Sequence, residues 1–205
     1  MNEFSRSAKN TDEMNLAYYE ANARNYADIT QSAKISSLHD KFLINLPHKA
    51  KVLDVGCGSG RDLKVFKDRG LFAIGIEPSH ALAEIARNHS GCEVTVEKIE
   101  NIKFTNAFDG VWACASLLHL PKQKFPLAIQ KIYECLHAHG YFFLSMQAGV
   151  GESTSIDGRF YSRYEEAELV DVLRKSGFFI QSTWRTTDSL AGRASLQWIN
   201  IVAHK

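Results

Sequence analysis

From residue 51 onward, short apolar runs alternate with stretches of helical spacing. The runs are "KVLDV", "FAIGIE", "CEVTVE", "FDGVWACA" and "GYFFLSM". Between them, "RDLKVFKDRG" places Leu63 and Phe66 at i, i+3 and stops at Gly70, and "HALAEIARNH" follows the second run. "KFPLAIQKIYECLHAHG" sets Phe125, Ile129, Ile132 and Leu136 on one face before Gly140, which predicts a helix over that stretch. Such alternation predicts a parallel sheet covered by helices. Upstream, Ile35, Leu38, Phe42 and Leu46 share one helical face, and Tyr19 and Tyr26 lie two turns apart on another. Residues 1 to about 12 are polar and are expected to be mobile. After residue 147 the rhythm changes. A polar, glycine-bearing loop leads to a helix ending at Gly177, then to two strand-like runs joined by "DSLAGR", a short link suited to an antiparallel hairpin. The expected architecture is a mostly parallel sheet finished by an antiparallel edge pair.

Composition narrows the class without naming a function. With 205 residues, 45% of them hydrophobic, the chain is long enough for one domain with a substantial core. A net charge of +1 gives no reason to expect strong non-specific nucleic-acid binding, although a local basic patch stays open. No apolar stretch approaches the ~20 residues of a membrane span, and the N-terminus lacks the apolar core of a signal peptide. A cytoplasmic protein is expected. The scattered Cys57, Cys92, Cys114 and Cys135 show no metal-ligand spacing, so free thiols and no metal site are expected.

The first run ends in "VLDVGCGSGRD". Gly56, Gly58 and Gly60 can adopt positive φ and let a ligand sit against bare backbone, just before a helix N-terminus with free N–H groups. A dinucleotide fold wants G-x-G-x-x-G; here Arg61 takes the third glycine's place, which disfavours an NAD-dependent oxidoreductase. Glu77 closes the second run about 20 residues on, where an acid accepts hydrogen bonds from ribose hydroxyls. The bland alternative is a tight turn, with Glu77 capping a helix that starts at Pro78-Ser79.

On "VLDVGCGSGRD", "GIEPS", "FDGVWACASLLHLP" and the closing "RYEEAELVDVLRKSGF", the chain resembles the class I S-adenosylmethionine-dependent methyltransferases from about residue 15 to its end. The resemblance implies a Rossmann-like three-layer α/β/α sandwich whose seven-stranded, mostly parallel sheet has an antiparallel seventh strand. It also implies a single domain over 1–205, with a helical lid over 1–48 and the core over 49–205. S-adenosylmethionine would be the cofactor. Gly56, Cys57 and Gly58 would lie along its methionine part, and Asp54 would anchor the loop and help hold the amino group. Arg61 would flank the cofactor, Glu77 would take both ribose hydroxyls, and Pro78 would flank the adenine. The family's usual acid after the third strand falls on Lys98 here, which leaves Ile99 by its backbone, with Glu100 or Glu97 as substitute acceptor. Ala113 and Leu118 would line the cofactor site from the fourth strand's end, and Tyr26 from the lid.

The residues after the fourth strand decide what is methylated. Ala113-Cys114-Ala115-Ser116 stands where enzymes acting on adenine or glutamine often carry N/D-P-P-Y/F, and Cys114 lacks the proline of a cytosine-C5 nucleophile. His119 is the one nearby residue able to move a proton near neutral pH, and its catalytic and packing readings balance. Tyr19, Arg159 and Tyr161 are candidate substrate contacts. The favoured function is methyl transfer to a small-molecule acceptor, with no membrane partner. A tRNA or protein acceptor, and a non-catalytic S-adenosylmethionine-binding module, stay open.

Overall fold

The computed structural model describes residues 3–190, 192–193 and 195–205, with side chains from residue 11 onward. Two helices come first, α1 (Glu3–Thr30) and α2 (Ser36–Leu43), followed by β1 (Lys51–Val55), α3 (Arg61–Asp68), β2 (Phe72–Ile76), α4 (His80–Ser90) and β3 (Glu93–Thr95). Then come β4 (Phe108–Cys114), α5 (Phe125–Cys135), β5 (Leu136–Gln147), α6 (Glu166–Lys175), and the closing strands labelled β8 (Phe179–Thr187) and β9 (Gln197–His204). Between β5 and α6, β6 (Glu152–Thr154) and β7 (Phe160–Ser162) form a separate antiparallel hairpin inside the segment read as a polar loop.

Seven strands form one sheet in the order β3-β2-β1-β4-β5-β9-β8. The strands β1 to β5 pair in parallel, whereas β9 runs antiparallel to both of its neighbours. The expected edge hairpin is present, with its last strand inserted beside β5 and β8 left at the edge. The link between them spans residues 188–196, longer than "DSLAGR" suggests, and residues 191 and 194 of it lie outside the described residues.

Alternate residues of the central strands feed opposite layers. Leu53, Val111 and Ala113 join a core with Phe125, Ile129, Ile132, Leu169 and Leu173 of α5 and α6. Val52 and Trp112 pack on the other face with Leu38 and Phe42 of α2 and Phe66 of α3. Trp112 stacks on Phe143 with centroids 3.9 Å apart and on His39 at 5.1 Å, so an aromatic column pins α2 to the sheet.

Two expectations need correcting. The fifth helix ends at Cys135, and Leu136 already pairs with Phe108 as strand; His139, at φ 64, makes the irregular step that follows. The apolar spacing continues one position past the helix because helix and strand bury residues in the same core. Helix α1 also reaches back to Glu3, into residues read as mobile; no glycine or proline interrupts it.

Because chain order reverses between β1 and β4, the carboxyl ends of these strands open a crevice at a topological switch point. The glycine turn after β1 lies there, and α1 crosses it.

Candidate active site

The turn after β1 is held by its own strand neighbours. Gly56 and Cys57 both donate backbone N–H groups to the Ile76 carbonyl, at 2.9 and 3.1 Å. Gly56, Gly58 and Gly60 sit at φ +67, +55 and +82, as the sequence anticipates. Their missing side chains serve different ends. A Cβ on Gly60 would lie 2.8 Å from the Ala86 backbone, so this glycine lets α3 and α4 approach. A Cβ on Gly58 would meet only the Tyr26 ring, at 3.4 Å, across open space. Cys57 is buried, packed close to Gly75 of β2.

Glu77 ties the glycine turn to the start of α4. One carboxylate oxygen accepts from the Gly58 N–H and the other from the Ser79 N–H, both at 2.9 Å. Burial raises its pKa to about 7, against the lowering effect of these two N–H donors. The α4 cap itself is Ser79, whose hydroxyl accepts from the Leu82 N–H. Glu77 therefore braces the glycine loop at the floor of a cavity, with lone pairs left for further donors.

That cavity, about 130 Å³, is mostly apolar, with Leu16, Ile76, Pro78, Leu82, Ile99 and Leu117 in its walls. Glu100 and Lys98 line one end, joined by Asp12 of α1, which sequence reading missed. A second, larger cavity of about 610 Å³ opens beside it and contains Asp54, Cys57, Arg61, Leu118, Arg159 and Tyr161. Tyr19, Tyr26, Gly56, Gly58, Ala115 and His119 line both. Ala113 lines neither. It is fully buried in the core, because it lies within β4, whereas Ala115, on the same face but just past the strand's end and at φ 54, takes the place expected of it.

Asp54 is buried, and its Oδ2 has no hydrogen-bond partner among the described residues. Burial, and then the negative charge of Asp62, pushes its carboxyl well above the usual range. A buried carboxylate without a partner is costly, which marks this corner as fitted for a donor that is itself cationic or a water. The buried Ser116 hydroxyl, packed against Gly56, likewise lacks a partner among the described residues.

Arg61 does not stand free. Its guanidinium binds Asp62 in a fork, with Nε to Oδ1 at 2.7 Å and Nη2 to Oδ2 at 2.8 Å. Asp62 also accepts from Trp112 Nε1 at 2.9 Å and pairs with His39 Nε2 at 3.0 Å. Burial alone would raise the Asp62 pKa; Arg61 and His39 hold it well below the carboxylate range. Cys114 is a neutral thiol, its pKa pushed up to about 12 by burial.

His119 follows β4 in a single turn of 3₁₀ helix. Its Nδ1 lies 2.8 Å from the Phe160 carbonyl, which can only accept, so Nδ1 carries the proton. Nε2 then accepts from the Tyr19 hydroxyl at 2.7 Å. Burial lowers the imidazole pKa to about 4 and raises that of the Tyr19 phenol well above its ordinary value. Asn15, also missed, ties the same corner together: its Oδ1 accepts from the Phe160 N–H at 2.7 Å. Arg159 lies over the Tyr18 ring at 4.4 Å and is forked onto Asp157, while Tyr161 packs on His119 with centroids 4.9 Å apart. These side chains come from three separate segments, which is why spacing alone could not assemble them.

A family model described as a methyltransferase domain matches residues 52–140. Over 156 residues the chain is 30% identical to a tRNA (carboxymethyluridine(34)-5-O)-methyltransferase of Arabidopsis thaliana, covering 73% of this chain and 37% of that one. It is 27% identical over 153 residues to an uncharacterized methyltransferase of Oceanobacillus iheyensis, covering 72% of this chain and 66% of the other. The chain thus spans little more than a third of the plant relative and about two thirds of the bacterial one. Among solved structures, 1,6-didemethyltoxoflavin-N1-methyltransferase of Burkholderia thailandensis, bound to 1,6-didemethyltoxoflavin and S-adenosylhomocysteine, shares the fold. Its TM-score is 0.78 at 19% identity, over 100% of this chain and 90% of that one. Glycine turn, strand-terminal acid and sheet order define a Rossmann-like domain with an antiparallel closing strand. Residues 52–140 match a methyltransferase domain, and the chain shares its fold with solved S-adenosylmethionine-dependent methyltransferases. Among the described residues no helix is long and apolar enough to cross a membrane, and no metal-ligand cluster is found.

Proposed function

We propose that the protein transfers the methyl group of S-adenosylmethionine to a small, planar acceptor carrying negative charge. The observation that carries this reading is the pair of joined cavities, a narrow apolar one over Glu77 and a wider polar one, meeting at Gly56, Gly58 and His119. The residues suit the cofactor: Glu77 for the ribose hydroxyls, Pro78 and Ile99 beside the base, Asp54 for the amino group. Tyr26, Gly56, Cys57, Gly58 and Leu118 complete its surroundings, with Arg61 held nearby by Asp62. When bound, the cofactor supplies a methyl group already activated by its sulfonium. What falls to this chain is to seat the acceptor, align it and exclude water.

We assign Tyr19, Tyr161 and Arg159 to the acceptor. Arg193 and Lys34 also line the wider cavity, and no ion pair to either is found among the described residues. An anionic group on the acceptor would complement them. His119 is assigned to positioning, since its one lone pair is taken by Tyr19.

Methyl transfer to a tRNA nucleoside is the second reading, favoured by the plant relative's substrate. The test uses methyl-labelled S-adenosylmethionine with a small-molecule extract and, separately, with total tRNA. Label in the small-molecule fraction is expected. Label in tRNA alone would replace the first reading by the second, and cofactor binding without any product would leave a binding module.

A further inference from the structure

The resemblance drawn from the sequence implies an acid after the third strand, and this chain has Lys98 there. The structure brings an acid to the same end of the nucleoside cavity from a distant part of the chain. Asp12, on α1, lines that cavity with Lys98, Ile99 and Glu100. Its Oδ2 accepts from Lys98 Nζ at 3.1 Å and from Lys124 Nζ at 2.6 Å, and the side chain is 13% exposed. The rival acids are less well placed. Glu97 lines the cavity too, but among the described residues no ion pair holds its carboxylate there: one oxygen accepts from the Lys98 N–H and from Asn101 Nδ2, both at 2.8 Å. Glu100 lies 3.9 Å from Lys124, beyond hydrogen-bond reach, so its carboxylate is not fixed by the two ammonium groups that hold Asp12.

We infer that Asp12 reads the exocyclic amino group of the cofactor's adenine, with Lys98 and Lys124 holding its carboxylate in place. This rests on the proposed cofactor reading. The chemistry is specific: an amino group offers only donors, and a carboxylate offers only acceptors. Both ammonium groups reach Oδ2, so Oδ1 is the oxygen that meets the amino hydrogens. Without Asp12, two ammonium groups would face a base edge that presents donors of its own. Lys98 thus replaces the acid and recruits a substitute, and the substitute belongs to the lid. The base is gripped fully only while α1 lies across the cavity.

The test compares S-adenosylhomocysteine with its 6-oxo counterpart, S-inosylhomocysteine, by calorimetry on the full chain. Wild type should prefer the adenosyl compound at least tenfold, because the 6-oxo group would turn an acceptor toward the Asp12 carboxylate. D12N should lose that preference, since an amide can donate to the oxo group, and E100Q should keep it. Hydrogen exchange supplies a second readout: S-adenosylhomocysteine should slow exchange in α1 of wild type more than in D12N. D12N with wild-type preference, or loss of preference in E100Q alone, would overturn the inference. Wild type that binds neither compound would overturn the cofactor reading with it; binding of S-adenosylhomocysteine with unchanged discrimination in D12N would sink only the role of Asp12.

Discussion

The Tyr19 hydroxyl donates to Nε2 of His119 across 2.7 Å, and so joins α1 to the end of the fourth strand through a neutral pair. With a pKa near 4, His119 stays uncharged over the physiological range. Loss of a general base costs typically ~10²–10⁴ in rate. Loss of a positioning group should cost less, so His119→Asn should lower kcat by no more than about tenfold while raising the acceptor's KM. With S-adenosylmethionine saturating, kcat should show no titration limb between about pH 5 and 8 in either protein. A hundredfold fall in kcat, with a wild-type acid limb that vanishes in the variant, would restore the base.

Glu77 makes cofactor affinity depend on pH within the neutral range. Its pKa in the folded protein is about 7, and ribose hydroxyls bond best to the ionised form. Below pH 7 the carboxylate fraction falls, so S-adenosylmethionine affinity should drop by up to tenfold per unit; above pH 8 it should level off. Calorimetry in buffers of different ionisation enthalpy should show proton release at pH 6 and none at pH 8.5. Glu77→Ala should weaken binding by roughly 1–3 kcal/mol at pH 8.

The glycines of one turn should fail in different ways. Gly60→Ala forces a Cβ against the Ala86 backbone at positive φ, and should cost about 2 kcal/mol or more of stability. Gly58→Val has room on the protein side apart from the Tyr26 ring. It should abolish cofactor binding while the circular dichroism of the sheet survives. Equal losses of stability in the two would contradict this division.

Asp62 carries charge-linked stability. Because its folded pKa is depressed, its contribution is present above the unfolded value of ~4 and is lost as pH falls below it. Asp62→Asn leaves the buried Arg61 guanidinium without its counter-charge and should destabilise the protein by about 3 kcal/mol at pH 7. Urea denaturation should also show a flatter acid dependence below pH 4 in the variant.

Local pattern made the sheet, its flanking helices and the glycine turn legible, because each depends on spacing within about a dozen residues. The same holds for Glu77 at the end of β2. What spacing could not supply was the partner list. Arg61 reads as a free cation beside a cofactor loop, but Asp62, His39 and Trp112 bind it into a buried cluster. His119 reads equally as a catalytic or a packing residue from sequence, and only the structure shows that Phe160 and Tyr19 occupy its nitrogens. Asp12 and Asn15 carry no motif at all; only the crossing of α1 over the switch point brings them to the site. Ala113 was misplaced by two residues, the period of a strand.

Tyr19 and Tyr26 of α1 line both cavities, so the same helix borders the proposed cofactor site and the proposed acceptor site. Any ligand that steadies α1 prepares the neighbouring cavity for the other. On the proposed assignment, binding of the two should be heterotropically cooperative, and reciprocity requires that each raise the other's affinity by the same factor.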